Sequence, residues 1–201
     1  MYSPAVEKLI KLFSKLPTIG PKTAARFVFY LIDAPKTEAI QLIEAVAELK
    51  NKTKTCQTCQ RAFEPTSETE KNCLICSNQK RRNSQICVVE KEVDLETIEK
   101  TKNFQGTYFI LGSNISPLKE DEKDLQNKIK ILLERVKTES IKEIILALNP
   151  TSEGQHTSFW LKRRLSPLDI KITQLGVGLP LGAELEYADP ETIVSALEGR
   201  K

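Results

Sequence analysis

Ile144-Ile145-Leu146-Ala147-Leu148-Asn149-Pro150-Thr151 is the stretch on which the reading of the fold turns. Five apolar residues in succession, closed by an Asn-Pro turn signal, describe a strand covered on both faces, because a strand with one wet face would alternate polar and apolar residues. Working outward, the same grammar recurs at Ile86 to Val89, Tyr108 to Leu111 and Ile170 to Leu175. Helical patterns fill the gaps. One spans about Asp94 to Lys102, a second carries Leu125, Ile129, Leu132, Leu133 and Val136 on one face, and a third covers about His156 to Leu165. Strand-helix-strand alternation predicts a parallel α/β sheet. A last helix is expected from Pro190, carrying Ile193, Val194 and Leu197.

The front of the chain follows a different rule. Val6, Leu9, Ile10, Phe13 and Leu16 recur at helical spacing and stop before Pro17. A second helix is expected from about Lys22 to Ile32 and a third after Pro35, so residues 1–54 read as a small helical module. Residues 55–83 hold the cysteines, residues 84–175 the α/β domain, and residues 176–201 a glycine-rich loop with the final helix.

Composition sets the class. At 40% hydrophobic and 28% charged residues over 201 positions, the chain is too apolar for disorder and long enough for one core with appendages. No apolar run reaches the ~18 residues of a membrane span, and the start lacks a secretion pattern, so a cytoplasmic protein is expected. Charge is uneven: residues 1–87 carry 14 basic and 8 acidic side chains, residues 88–201 carry 16 and 19. The cationic front half suits a polyanion.

Cys56-Gln57-Thr58-Cys59 and Cys73-Leu74-Ile75-Cys76 form two knuckles with 13 residues between them. Two-residue spacing lets both sulfurs of a knuckle reach one ion from a single tight turn, and four thiolates close a tetrahedral Zn²⁺ site. Such a closed site is structural, since a catalytic zinc keeps a position for water. A redox pair or an iron-sulfur cluster are the competing readings. Cys87, inside an apolar strand, reads as a small buried hydrophobe.

Leu16-Pro17-Thr18-Ile19-Gly20-Pro21-Lys22-Thr23-Ala24 joins the first two helices and resembles the hairpin of helix-hairpin-helix DNA-binding motifs. Gly20 is expected to permit the tight turn, the first amides of the second helix to face a phosphate, and Lys22 and Arg26 to add charge one turn apart. Thr18 stands where the motif usually has glycine. A corner used for packing or dimerisation is the alternative. Lys50, Lys52, Lys54 and the run Lys80-Arg81-Arg82 are candidates to extend the cationic surface.

The α/β domain resembles Toprim domains, which place a Glu after the first strand and an Asp-x-Asp pair after a later one to hold Mg²⁺. Glu90 follows Ile86-Cys87-Val88-Val89, but Asn149 and Thr151 occupy the later acidic positions, with Glu153 close by. Neutral side chains hold a divalent ion poorly, so no catalytic residue is assigned. Gly176-Val177-Gly178-Leu179-Pro180-Leu181-Gly182 lacks the Gly-Lys-Ser/Thr ending of a phosphate loop. His156, the single histidine, reads as a surface or capping residue.

In chain order these motifs resemble the RecR family of bacterial recombination mediators over essentially the whole chain, together with Asn149-Pro150-Thr151-Ser152-Glu153-Gly154 and Gly178-Leu179-Pro180-Leu181-Gly182-Ala183-Glu184-Leu185-Glu186-Tyr187-Ala188-Asp189. The resemblance implies a non-enzymatic protein binding single- and double-stranded DNA without sequence specificity. It implies assembly into a homodimer or tetrameric ring, and work with RecO and/or RecF to load RecA. Carried residue by residue, it points to Gly20, Lys22 and Arg26 for DNA, Glu90 and Glu153 for partner contact, and Cys56, Cys59, Cys73 and Cys76 for Zn²⁺. A Toprim-type nuclease or primase, and a protein-binding scaffold without DNA contact, are the other function classes.

Overall fold

The computed structural model describes residues 2–81, 84–115 and 123–200. The chain divides into two compact units, Met1–Thr53 and Lys54–Lys201.

The first unit holds α1 (Pro4–Phe13), α2 (Pro21–Asp33) and α3 (Lys36–Lys52). Pro4 and Pro21 open their helices at the position where a missing N–H costs nothing. Packing between α1 and α2 includes an edge-on contact of Phe13 with Phe27, centroids 6.1 Å apart. Among its described residues only Ala24 and Val28 are buried. Ile32, Ile43, Val46 and Leu49 are each more than half exposed, and an apolar groove of about 630 Å³ runs along Val6, Leu9, Phe13, Val28, Ile43 and Val46.

The second unit starts with the short antiparallel pair β1 (Lys54–Thr55) and β2 (Ala62–Phe63), then the single turn α4 (Leu74–Ser77). The α/β part follows as β3 (Gln85–Val89), α5 (Glu92–Lys100), β4 (Thr107–Ile110), α6 (Lys123–Thr138), β5 (Glu143–Ala147), α7 (Ser152–Leu165) and β6 (Lys171–Gln174), with α8 (Pro190–Glu198) last. The four longer strands lie in the order β4-β3-β5-β6, all parallel, as the apolar runs predict.

Alternation along β3 sorts the core. Ile86 and Val88 join Phe109, Leu132, Leu146 and Leu161 on the face covered by α6 and α7. Cys87 and Val89 join Leu95 of α5, Tyr108 and Ile110 on the other face, where Ile75 of the cysteine element also packs. The cysteine element is thus part of the wall of the sheet.

Two helices start earlier than apolar periodicity predicts. α5 begins at Glu92 rather than Asp94, because the Asp94 carboxylate accepts the Lys91 N–H at 2.9 Å and caps the first turn. α7 begins at Ser152 rather than His156: the Thr151 hydroxyl accepts the Gly154 N–H at 3.2 Å. Its first turn is polar, so periodicity carries no trace of it.

Candidate functional site

The residues singled out in the sequence fall at three places, of which the cysteine cluster is the most compact. The sulfurs of Cys56, Cys59, Cys73 and Cys76 all lie within 4.8 Å of one another. A tetrahedral ion with metal-sulfur bonds of ~2.3 Å needs sulfurs about 3.8 Å apart, and Cys59 Sγ to Cys73 Sγ is 3.6 Å. The donor set fits a metal ion such as zinc. Cys56 Sγ also accepts the Cys73 N–H at 3.3 Å, the kind of outer contact that orients a ligand. Hydrogen bonding from Cys59 holds Cys56 well below the ordinary thiol range, and the same contact from Cys56 pushes Cys59 and Cys76 above it. Cys87 stands outside the cluster, its thiol pushed up to about 12 by burial, as expected of an inert core residue.

The cluster is tied to the sheet by polar contacts. Ile110 N–H donates to the Cys59 carbonyl at 2.9 Å. Arg61 pairs with Glu92 at 2.5 Å and with Glu96, both on α5. Arg135, only 6% exposed on α6, donates to the carbonyls of Thr58 at 3.5 Å and Tyr108 at 2.9 Å and to Thr107 Oγ1 at 2.7 Å, its charge met by Glu139.

The second place is the carboxyl edge of the sheet. Chain order reverses beside β3, since β4 leaves to one side and β5 to the other, and this is where open α/β sheets form a crevice. Glu90 and Asn149 leave neighbouring strands there. Glu90 is buried; its Oε2 accepts from the Asn114 amide at 2.9 Å and the Asn149 amide at 3.4 Å, and its Oε1 meets Lys91 Nζ at 2.9 Å. Asn149 therefore offers hydrogen atoms where an aspartate would offer a second negative oxygen. Thr151 caps α7. Glu153 is exposed in the first turn of that helix, while the partners of Glu90 are Lys91, Asn114 and Asn149.

The third place is the hairpin between α1 and α2. Lys22 and Arg26 are exposed one turn apart at the start of α2. Gly20 is the N-cap and has no side chain to accept the first-turn amides, so the N–H groups of Lys22 and Thr23 face outward. The expectation that Gly20 supplies the special turn conformation is overturned: Gly20 has φ −80° and ψ 168°, open to any residue, and Thr18 takes the left-handed bend at φ +66°. The turn needs its left-handed residue two positions earlier, before the chain extends into the helix cap.

Of the further cations, Lys52 pairs with Glu48 and Lys54 donates to the Glu68 carbonyl at 3.0 Å. Arg81 is committed to structure, reaching the Gly106 carbonyl at 2.8 Å and Glu99, with its guanidinium 5.9 Å from the Tyr108 ring centre. It is thus removed from the proposed cationic run, because a half-buried arginine between β4 and α5 is spent on those partners. Arg82 lies outside the described residues.

Comparison with known proteins matches residues 6–50 to the helix-hairpin-helix of RecR, residues 84–176 to the Toprim domain and residues 178–201 to the RecR C-terminal segment. A protein named Recombination protein RecR from Bifidobacterium animalis subsp. lactis is 44% identical over all of this chain and 97% of its own length. Relatives of the same name from Heliobacterium modesticaldum and Chloroflexus aurantiacus are 40% and 43% identical, over 100% and 98% of this chain and 98% and 93% of theirs. The chain belongs to the RecR family.

In this chain the four cysteines lie between the matched hairpin and Toprim segments, and Glu90 and Asn149 fall inside the latter. Sequence reasoning brings the cysteines together and sets Asn149 beside Glu90. It misses Asn114, whose only signal is a polar residue just beyond a strand end, and Arg135, hidden in the apolar stripe of α6 but betrayed by Glu139 four residues on. Gly154 is also missed: a Cβ there would stand 1.9 Å from the Asn149 carbonyl oxygen, so the turn that presents Asn149 requires glycine.

Proposed function

We propose that this chain is a DNA-binding recombination mediator, gripping single- and double-stranded DNA by phosphates without reading bases, and helping RecA load with RecO and/or RecF. The observation that carries this reading is the hairpin: Lys22 and Arg26 exposed one turn apart beside the uncapped amides of α2, within the segment that matches a helix-hairpin-helix. Backbone amides and cations together suit phosphate, whose binding carries no base information.

The remaining parts support that role. Four sulfurs with no open position suit a structural Zn²⁺, held by Cys56, Cys59, Cys73 and Cys76. Zinc there supplies folding energy to the loop. At the sheet edge Asn114, Asn149 and Lys91 already satisfy Glu90, which favours a protein that breaks no phosphodiester bond over a nuclease or primase. Glu153 is free to meet a partner, and Glu90, 6% exposed, acts there by fixing the two asparagines. The uncovered apolar face of α1 to α3 suits a homodimer, and a ring of four takes a second, different contact on each chain. Identical hairpins around one strand raise the effective concentration of weak contacts. Among the described residues no helix is long and apolar enough to cross a membrane, compatible with cytoplasmic work on DNA. The working parts are residues 1–54, 55–83, 84–175 and 176–201.

The test is RecA filament formation on single strands coated with single-strand-binding protein, with RecO supplied. The wild-type chain should shorten the lag and the Lys22→Glu/Arg26→Glu chain should not. Equal rates with and without the chain, or strand cleavage in Mg²⁺ that disappears in Glu90→Gln, contradict the reading.

A further inference from the structure

The outward face of α7 carries chemistry that the hairpin leaves unused. Phe159 is 61% exposed there. One exposed ring is ordinary on a protein surface; its neighbours are not. His156, Phe159, Trp160, Arg163 and Arg164 line a single cleft of about 380 Å³. Helical spacing of four sets two arginines over two rings: Arg164 lies 4.7 Å from the Trp160 ring centre and Arg163 6.0 Å from that of Phe159. Lys162 adds a third positive charge, its ammonium donating to Gln174 Oε1 at 2.8 Å. The one acid of α7 near its start is Glu153, and among the described residues no carboxylate pairs with Arg163 or Arg164.

Cations in a last turn complement the helix dipole, but that effect asks only for charge. Aromatic rings interleaved with arginines at an exposed site match a different demand, the stacking of flat, unpaired bases on ring and guanidinium faces beside phosphate-binding cations. A duplex keeps its base faces covered and gains nothing from such rings. Charge and ring chemistry together therefore select one occupant.

We propose that this face of α7 is a second nucleic-acid contact, a stacking platform for single-stranded DNA. One base lies on the free face of Phe159 and another on the Arg164 guanidinium, itself backed by Trp160, while Lys162 and Arg163 reach phosphates. The proposal rests on the DNA-binding reading, and predicts that a chain gripping any phosphate backbone through its hairpin gains a preference for unpaired strands from this face.

Trp160 is the single tryptophan, so its emission reports on the site directly. Full-length protein is titrated with oligothymidylate at low salt, with anisotropy of a labelled strand followed in parallel. Trp160 emission should change along the binding isotherm. Phe159→Ala should weaken binding roughly five- to hundredfold, the range for losing one stacked base, and Phe159→Tyr should restore it. An abasic strand of equal phosphate number should bind the wild-type and Phe159→Ala chains alike. Unchanged emission on binding, or full affinity in Phe159→Ala, overturns the platform while leaving the hairpin reading intact. Retained quenching in Lys22→Glu/Arg26→Glu does the reverse, and no binding to the wild-type chain sinks both. If Phe159→Ala or Arg163→Glu/Arg164→Glu alters the mass in light scattering with oligonucleotide affinity intact, the face belongs to a second copy and the platform is wrong.

Discussion

Residues 54–200 bury whole strands of apolar side chains, Ile86, Val88, Phe109 and Leu146 among them, whereas residues 2–53 bury only Ala24 and Val28. Both regions are helix-rich and strongly patterned, so pattern alone does not explain the difference. In the α/β unit α5, α6 and α7 each find a sheet face to cover, and the cysteine element fills the rest of one wall. In the helical unit the apolar sides of α1, α2 and α3 surround a groove that nothing in the chain's own unit fills. One region carries its own core and the other leaves an apolar face uncovered, as the proposed self-association requires.

The contrast is broken most forcefully at the sulfurs. The segment from Lys54 to Arg81 has little core besides Cys56, Cys59 and Cys73 with Phe63 and Ile75, and structural zinc contributes about 10–16 kcal/mol of apparent free energy in peptide sites. Chelation, or Cys59→Ser, should open this segment to proteases and release one zinc per chain by elemental analysis. Undiminished protection after metal removal would place the staple elsewhere.

The helical unit should respond to dilution where the α/β unit does not. Ile43→Glu puts a charge on the groove where a covering chain would have to desolvate it, and should weaken self-association by about tenfold or more in sedimentation. The melting of the α/β unit should be unmoved.

Gly154→Ala acts on the α/β unit alone. With the Asn149 carbonyl 1.9 Å from the new Cβ, the turn must shift, and overpacking of this kind costs about 1–3 kcal/mol. Denaturant unfolding measures the loss; the wild-type midpoint in this variant would mean that the turn is soft. The smallest effect is expected in the hairpin. Thr18→Gly relieves a β-branched residue at φ +66°, a strain of about 1–2 kcal/mol, against a chain-entropy cost of roughly 0.5–1 kcal/mol. A net gain of a few tenths to about 1 kcal/mol should appear as slower amide exchange in α2.

These positions also mark what the sequence could reveal. The runs at residues 86–89 and 144–148 are legible because strands covered on both faces leave uninterrupted apolar stretches, and the paired knuckles because two-residue spacing has few other uses. Asn149 and Glu90 could be set side by side because both follow such runs. Arg81 could not be read correctly: its partner Glu99 stands 18 residues away on α5, and no local pattern separates a structural arginine from a solvated one. The start of α7 is hidden by its polar first turn, and the left-handed bend at Thr18 by its residue type, since a β-branched residue is not the usual choice at positive φ.

The most direct test of a phosphate-gripping hairpin is the salt dependence of DNA affinity for the wild-type and Lys22→Glu/Arg26→Glu chains. Wild-type log affinity should fall steeply and linearly with log salt, and the double variant should lose about two or more units of slope, each lost phosphate contact removing about one. Parallel lines of equal slope for the two chains would contradict the account.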